Sequence, residues 1–352
     1  MFKPINRCTS LAALLLSAAI LLMALLVTAC MSSTPTLLPP STLIYTATLL
    51  PNATLNASVT TIAASPTAAA TTSAPTATPL ATKVTPSAQH TATTTSTPAP
   101  PRLVILARNL NTPDDLVLAP DGSIIYSDIV TEAVERLGTD GKRTTVVSQL
   151  REPEGLAFLP DGSLIIVEQG NNRLLRFDFN SNQLSIFLQL ENKTTHPGLD
   201  GIFFDAATQT LLVPDSPNGT LLRVSLEGKT RSVQTLARGL SRPTGAAVEA
   251  DGSILVVDEN AFALWRVPRE GGIPQKIARL PEPDDVIVDA NGDIYANTLI
   301  DDAIHLIDRR TGADQVLWRG FSNPQGIIFD SDGNLIVTDP GYHRIVKIVI
   351  HQ

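Results

Sequence analysis

Residues 113–128 read PDDLVLAPDGSIIYSD, and the stretch returns four times. The copies are PEGLAFLPDGSLIIVE at 153–168, PTGAAVEADGSILVVD at 243–258, PDDVIVDANGDIYANT at 283–298 and PQGIIFDSDGNLIVTD at 324–339. In each, an Asp-Gly or Asn-Gly pair falls six residues after the Gly or Asp that opens an apolar run. A looser copy, LDGIFFDAATQTLLVPD, starts at Leu199, so the starts are spaced by 40, 46, 44, 40 and 41 residues. Asp-Gly and Asn-Gly supply the positive φ angles of tight hairpins, so each unit opens with two antiparallel strands.

A third strand follows in every unit: AVERL, RLLRF, TLLRV, ALWRV, AIHLI and RIVKI. A fourth is readable as TTVVSQL, QLSIFLQL, SVQTLARGL, QKIARL and DQVLWRG. Four short strands every 40 to 46 residues predict an all-β fold, a six-bladed β-propeller. The last unit stops after its third strand, and its missing fourth is expected in RLVILARNL at 102–110. That pairing would join the two ends of the body in one blade and leave the ring without an open sheet edge between its ends.

What precedes the repeats differs in kind. Lys3 and Arg7 lead into an apolar run from Leu11 to Val27 that ends V-T-A-C at Cys30. The arrangement resembles the lipobox of bacterial lipoproteins, which implies a signal peptide over 1–29 and a lipidated Cys30 in the cell envelope, outside the cytoplasm. The competing reading is an uncleaved anchor, since this run of 17 residues, apolar but for Ser17, nearly spans a bilayer. Residues 30–101 are rich in Ser, Thr, Ala and Pro with Lys83 as the sole charge, the composition of a disordered tether. All 34 acidic residues lie in the body, 102–352, against 26 − 3 = 23 basic ones, which gives a net charge near −11. So acidic a surface repels phosphate backbones and excludes nucleic acid as a natural partner. The body is expected to be monomeric.

The repeat separates architecture from chemistry, because a residue type present in every blade does the same job six times. Asp128, Glu168, Asp215, Asp258 and Asp339 end the second strands, with Thr298 in the fifth. Arg136, Arg176, Arg223, Arg266 and Lys347 recur in the third strands. These are expected to make turn hydrogen bonds or ion pairs between blades, and Trp265 and Trp318 to pack. The second position of the first strand behaves differently, carrying Asp114, Glu154, Asp200, Thr244, Asp284 and Gln325 in turn. Innermost strands place these six oxygen-bearing side chains around one end of the axis, with Thr244 and Gln325 lining the channel beside four carboxylates. Crowded carboxylates call for a counter-charge or for protons. Oxygen donors without Cys or His suit Ca²⁺ or another hard divalent cation, so Asp114, Glu154, Asp200 and Asp284 are the candidate metal ligands. The alternative is a solvated ring bonded to neighbouring backbone amides.

The body has no Gly-x-Ser-x-Gly elbow and no cysteine. Of its histidines, His351 is terminal and His305, in a third strand, is expected at the surface. His196, in the connection ENKTTHPG, and His343 should edge the acidic face, where a histidine can serve as general base. The catalytic candidates are Asp284 and His196.

PQGIIFDSDGNLIVTDPGYHRIVKI resembles an NHL repeat, and the body resembles the superfamily of gluconolactonase, senescence marker protein and paraoxonase. The resemblance implies a divalent cation held by Glu, Asn, Asn and Asp at the starts of inner strands. Glu154 in PEGLAF matches the first of these. Counting blades onward, the others fall on Thr244, Asp284 and Gln325, so Thr stands for Asn and Gln for Asp, and Asp200 and Asp114 offer carboxylates in compensation. Two functions follow: a metal-dependent lactonase or esterase, or a non-catalytic propeller that binds a ligand, glycan or protein on its top face.

Overall fold

A computed structural model describes residues 100–191, 198–228 and 231–350. The leader, Cys30, the tether up to residue 99 and His196 lie outside the described residues. The body forms six four-stranded antiparallel sheets, five of them ordered in sequence from an innermost to an outermost strand. Blade one runs through Pro113–Leu118, Ile124–Asp128, Ala133–Leu137 and Arg143–Ser148. The last blade takes three strands from the C-terminal end, Ile327–Phe329, Leu335–Asp339 and Arg344–Val349. Its outermost strand is Arg102–Arg108, registered from Arg102 opposite Val349 to Arg108 opposite Arg344, so the ring closes as the sequence predicts.

The hairpins correct the sequence reading in one detail. Only the glycine of each pair is left-handed, at φ 81° for Gly122, 83° for Gly162, 87° for Gly252, 85° for Gly292 and 79° for Gly333. In blades one, two and four the preceding aspartate folds its carboxylate over the turn, where Asp121 Oδ1 accepts the Ser123 amide at 3.1 Å and Asp251 Oδ1 the Ser253 amide at 2.8 Å, while in the last two blades Asp289 and Asp330, two residues earlier, do so. That is a side-chain turn followed by a left-handed glycine, a wider loop than a two-residue hairpin.

Alternating apolar residues on each blade pack against the next. Leu156, Leu164 and Ile166 meet Ile125 and Val134 between blades one and two, and Ala157, Val167 and Leu174 meet Leu211 and Val224 between two and three. Equivalent clusters fill the other four interfaces. Acids at the ends of the second strands pin the chain arriving from the blade before: Asp258 accepts the Ser241 and Arg242 amides, both at 2.8 Å, and Asp339 the Ser322 amide at 2.7 Å. Four of the recurrent bases form their ion pairs inside a blade, while Arg223 pairs between blades, with Glu270 at 3.8 Å. Arg266 meets Glu249 at 2.5 Å, Lys347 meets Asp330 at 3.2 Å, and Arg136 and Arg176 meet Asp121 and Asp161 of their own hairpins. The same residue type can nonetheless reach across a boundary, as Arg223 does to the Arg269 carbonyl at 2.6 Å.

His305 is not at the surface. It is 3% exposed, with Nδ1 2.8 Å from Asp314 Oδ2 and Nε2 3.2 Å from Asp301 Oδ2. Flanking carboxylates satisfy both ring nitrogens, which is what lets a polar ring be buried in a third strand.

Candidate functional site at the channel mouth

The inner strands leave their ladders where the site begins. In blades one, two, four and five the pairing skips from the opening proline to the third residue after it, as from Pro113–Asp128 to Leu116–Tyr126. The two skipped residues, such as Asp114 and Asp115, are free to serve the channel and the next blade. Residues 115, 155, 201, 245, 285 and 326 are Asp, Gly, Gly, Gly, Asp and Gly. Where glycine stands, the neighbouring backbone comes so close that a Cβ on Gly201 would sit 2.4 Å from the Thr244 carbonyl oxygen. The Gly155 amide donates to the Asp200 carbonyl at 3.0 Å, Gly201 to Thr244 at 2.9 Å and Gly326 to Asp114 at 3.1 Å. Where aspartate stands, its carboxylate makes the bridge instead. Asp115 Oδ2 accepts the Leu156 amide at 2.6 Å, and Asp285 Oδ2 accepts the Ile327 amide at 3.3 Å. These two aspartates escaped the sequence reading, although they are the only departures from glycine at that position.

Within this frame Asp114, Glu154 and Asp284 are buried and Asp200 is half-buried. Burial first, and then the charges of Asp200 and Asp114, hold the Glu154 and Asp284 carboxyls well above the usual carboxylate range. Burial and then Asp200 do the same to Asp114. Asp115 is raised by burial and by Asp285, and Asp285 is pushed up to about 7, chiefly by burial. Asp200 is raised by burial but opposed by Arg242, whose Nη2 lies 2.8 Å from Asp200 Oδ2. Arg242 also pairs with Glu259 through Nη1. It is a second functional residue missed in the sequence, though it is the one base among those just before the prolines that open the blades (Thr112, Glu152, Arg242, Glu282 and Asn323).

The six candidate channel residues are not equivalent. Asp114, Asp200, Thr244 and Asp284 line a cavity of about 260 Å³ on the axis, together with Asp115 and Asp285. Glu154 is 93% buried behind that lining, hydrogen-bonded to Asp200, while its Oε2 has no partner. Thr244 donates its hydroxyl to the Asp284 carbonyl oxygen at 2.7 Å, so it staples two blades. Gln325 is half-buried, and its carbonyl oxygen accepts from the Asn297 amide group. His343 is exposed, left-handed at φ 53°, with Nδ1 2.6 Å from the Asn111 carbonyl oxygen. Among the described residues no three His, Cys, Asp or Glu side chains are already drawn into the geometry of a metal centre. The donor chemistry nevertheless fits a hard divalent cation: oxygen only, mutually repelling, with one buried carboxylate oxygen unsatisfied.

A family model described as the SMP-30/gluconolactonase/LRE-like region matches residues 115–318, more than half of the chain. The chain belongs to this family. No protein of curated function matches it. Among solved structures it is similar to a protein described provisionally as a gluconolactonase, with 19% identity over 71% of this chain and 92% of that one, at a TM-score of 0.61. It is equally similar in shape to a gluconolactonase from Xanthomonas campestris, at 15% identity, 70% and 89% coverage and a TM-score of 0.61. The virginiamycin B lyase from Staphylococcus aureus shares the fold at 13% identity, 71% and 98% coverage and a TM-score of 0.54. At these identities the likeness is one of fold, and fold does not carry function with it.

Proposed function

We propose that this family member is an envelope-tethered hydrolase of the lactonase or esterase type, working at the mouth of its axial channel with a divalent cation, Ca²⁺ or one like it. The observation that carries the reading is Glu154, a carboxylate 93% buried among other acids with one oxygen unpaired. Glu154, Asp114 and Asp284 would hold the cation, with Asp200 shared between it and Arg242. When bound, such an ion polarises a carbonyl or lowers the pKa of a water. The rest falls to the chain. Arg242 fixes Asp200 in place, the blade-bridging carboxylates keep the mouth rigid, and Asp284, which lines the cavity, would take a proton from water. His196, the other candidate base, lies outside the described residues. Lipidated Cys30 and the tether would hold the propeller at a membrane surface.

A non-catalytic propeller that binds a ligand on the same face is the competing reading. It is favoured by Thr244, whose hydroxyl is committed to the Asp284 carbonyl oxygen. Metal analysis of the purified protein decides between them, together with melts in chelator. Binding stabilises by about 2.7 kcal/mol at a hundredfold excess over Kd, so chelation should lower the melting temperature by a few degrees. Glu154→Gln should abolish most of that difference. If chelator leaves the melt unchanged while Glu154→Gln raises it, the ring holds protons rather than metal and the hydrolase reading fails.

A further inference from the structure

Every blade ends in an outermost strand whose free edge carries unpaired N–H and C=O groups, a template for pairing with another chain. Sheets blunt such edges with bulges and with charges. The bulge is common to all six outermost strands, each of which steps over one residue of its ladder, Phe187 in blade two. The charge is not. Arg143 lies in the outermost strand of blade one, Arg238 in that of blade three, Lys276 in blade four, Asp314 in blade five and Arg102 in the closing strand. Blade two has none, since its strand Gln183–Gln189 reads QLSIFLQ and the whole stretch 179–190, FNSNQLSIFLQL, is uncharged. Its edge is apolar as well. Leu184 is 41% exposed and Ile186 59%, two residues apart and so on one side of the strand, and Phe179 extends the patch, braced edge-on by Phe177 at 5.0 Å. No other outermost strand exposes two large apolar side chains, and blades three and five show one each, Val233 and Val316.

We infer that this edge is a self-association site, where two copies of the chain pair their Gln183–Gln189 strands antiparallel about a two-fold axis at Ser185. Such a pairing is self-complementary, with residue i opposite j and j opposite i. Ser185 then lies opposite its own mate, and Leu184 of each copy faces Ile186 of the other. Four alkyl side chains meet on one face, and the paired run 184–186 stays clear of the bulge at Phe187. Charge selects a second copy as the occupant. Bodies of net charge near −11 repel, so they approach only where the facing surfaces are uncharged. At any other edge a two-fold axis would bring Arg, Lys or Asp near its own mate, which is destabilising across a strand pair. An uncharged edge likewise offers nothing to a charged segment, and its match is another uncharged apolar strand, which a second copy supplies. Antiparallel pairing turns the two channel mouths to opposite sides, so neither covers the other. The contact is one strand and one patch, at the weak end of protein interfaces. It replaces the monomer expected from the sequence and is independent of the hydrolase reading.

The test is disulfide capture with the full chain in detergent, micelles in large excess over protein. The body has no cysteine, so the parent chain sets the background. Ser185→Cys is nearly isosteric. Directly opposite residues of an antiparallel pair lie about 4.5–5.5 Å apart at Cα, inside the roughly 4.4–6.8 Å that a disulfide spans. Thr144→Cys is the control, because Thr144 stands opposite Arg136 in blade one as Ser185 stands opposite Arg176 in blade two. Under mild oxidation Ser185→Cys should link into dimers at least about tenfold faster than Thr144→Cys, the gain that a preformed pair gives over random encounter. Sedimentation equilibrium of the parent chain should show monomer and dimer in exchange. Ile186→Lys brings two ammonium groups together across the axis and should weaken the dimer about tenfold or more. Its melting temperature should stay within about two degrees of the parent, since the side chain already faces water. Equal linking at the two cysteines would overturn the inference. So would a dimer that Ile186→Lys leaves intact, or a parent chain that stays monomeric, whether its edge is bare or covered by a strand of another protein.

Discussion

Among the described residues, Arg242 is the single positive charge acting on the acidic mouth, and its two partners sit on different elements. Asp200 leads into the inner strand of the third blade, Phe203–Asp205, and Glu259 follows the second strand of the fourth. Arg242 is partly exposed, at 23% of its side chain, so the pair sits between the surface and buried limits. Replacing it by Met keeps the stem and removes the charge, leaving two carboxylates facing each other in a poorly hydrated place. Removing one partner of a fully buried pair costs about 3–5 kcal/mol. With the remaining exposure, about 2 kcal/mol is expected for Arg242→Met, and the loss should be greater at pH 8 than at pH 5, because the Asp200 carboxyl, raised by burial, is more fully ionised there. Denaturant melts at the two pH values check this. A melt as stable as the parent at pH 8 would show that Asp200 and Glu259 are satisfied without the guanidinium.

At the scale of the element, the decisive piece is the strand Arg102–Arg108, which belongs in sequence to the start of the body and in space to its last blade. Six registered residue pairs join it to Arg344–Val349, and Leu103 and Ile105 pack on the core between the last two blades. A chain starting at Thr112 would lose this strand and expose both the edge and the apolar residues beneath it. Such a truncation should aggregate or melt well below the chain that keeps residues 102–111. Equal melting temperatures would mean that the ring does not depend on its closing strand. The blades themselves were legible because Asp-Gly or Asn-Gly pairs recur in five units and alternating apolar runs in all six, so any misreading of one copy is corrected by the others. The site was legible only where it breaks that repetition. Asp114, Glu154, Asp200 and Asp284 stood out as variation at a polar position, whereas Asp115 and Asp285 look like part of an Asp-Asp opening. Their blade-bridging role depends on how close the next inner strand comes, and single-chain periodicity does not encode that distance. His305 was misplaced for a related reason. Its partners Asp301 and Asp314 lie on a turn and on the adjacent strand, so only the sheet brings them to both sides of one ring.

For the molecule as a whole, the acidic mouth sets how stability responds to pH. Asp114, Asp115, Glu154, Asp284 and Asp285 all have their carboxyls raised, whereas unfolded carboxylates titrate near about 4. Above that value the folded protein therefore binds more protons than the unfolded chain, so stability falls as pH rises. The contribution is fully present below about pH 4 and is lost as each folded pKa is passed, which for Asp285 is about 7. Metal-free protein should accordingly melt several degrees lower at pH 8 than at pH 5. A divalent cation binds the ionised carboxylates, so it competes with the protons. Adding Ca²⁺ should raise the melting temperature strongly at pH 8 and little at pH 5, which flattens the pH profile. Glu154→Gln should show a shallower fall in the metal-free state and a smaller response to Ca²⁺. A metal-free melting temperature that is level or rising between pH 5 and 8 would mean that the mouth is hydrated well enough to keep its acids ionised, and the demand for a counter-charge on which the cation site depends would vanish with it.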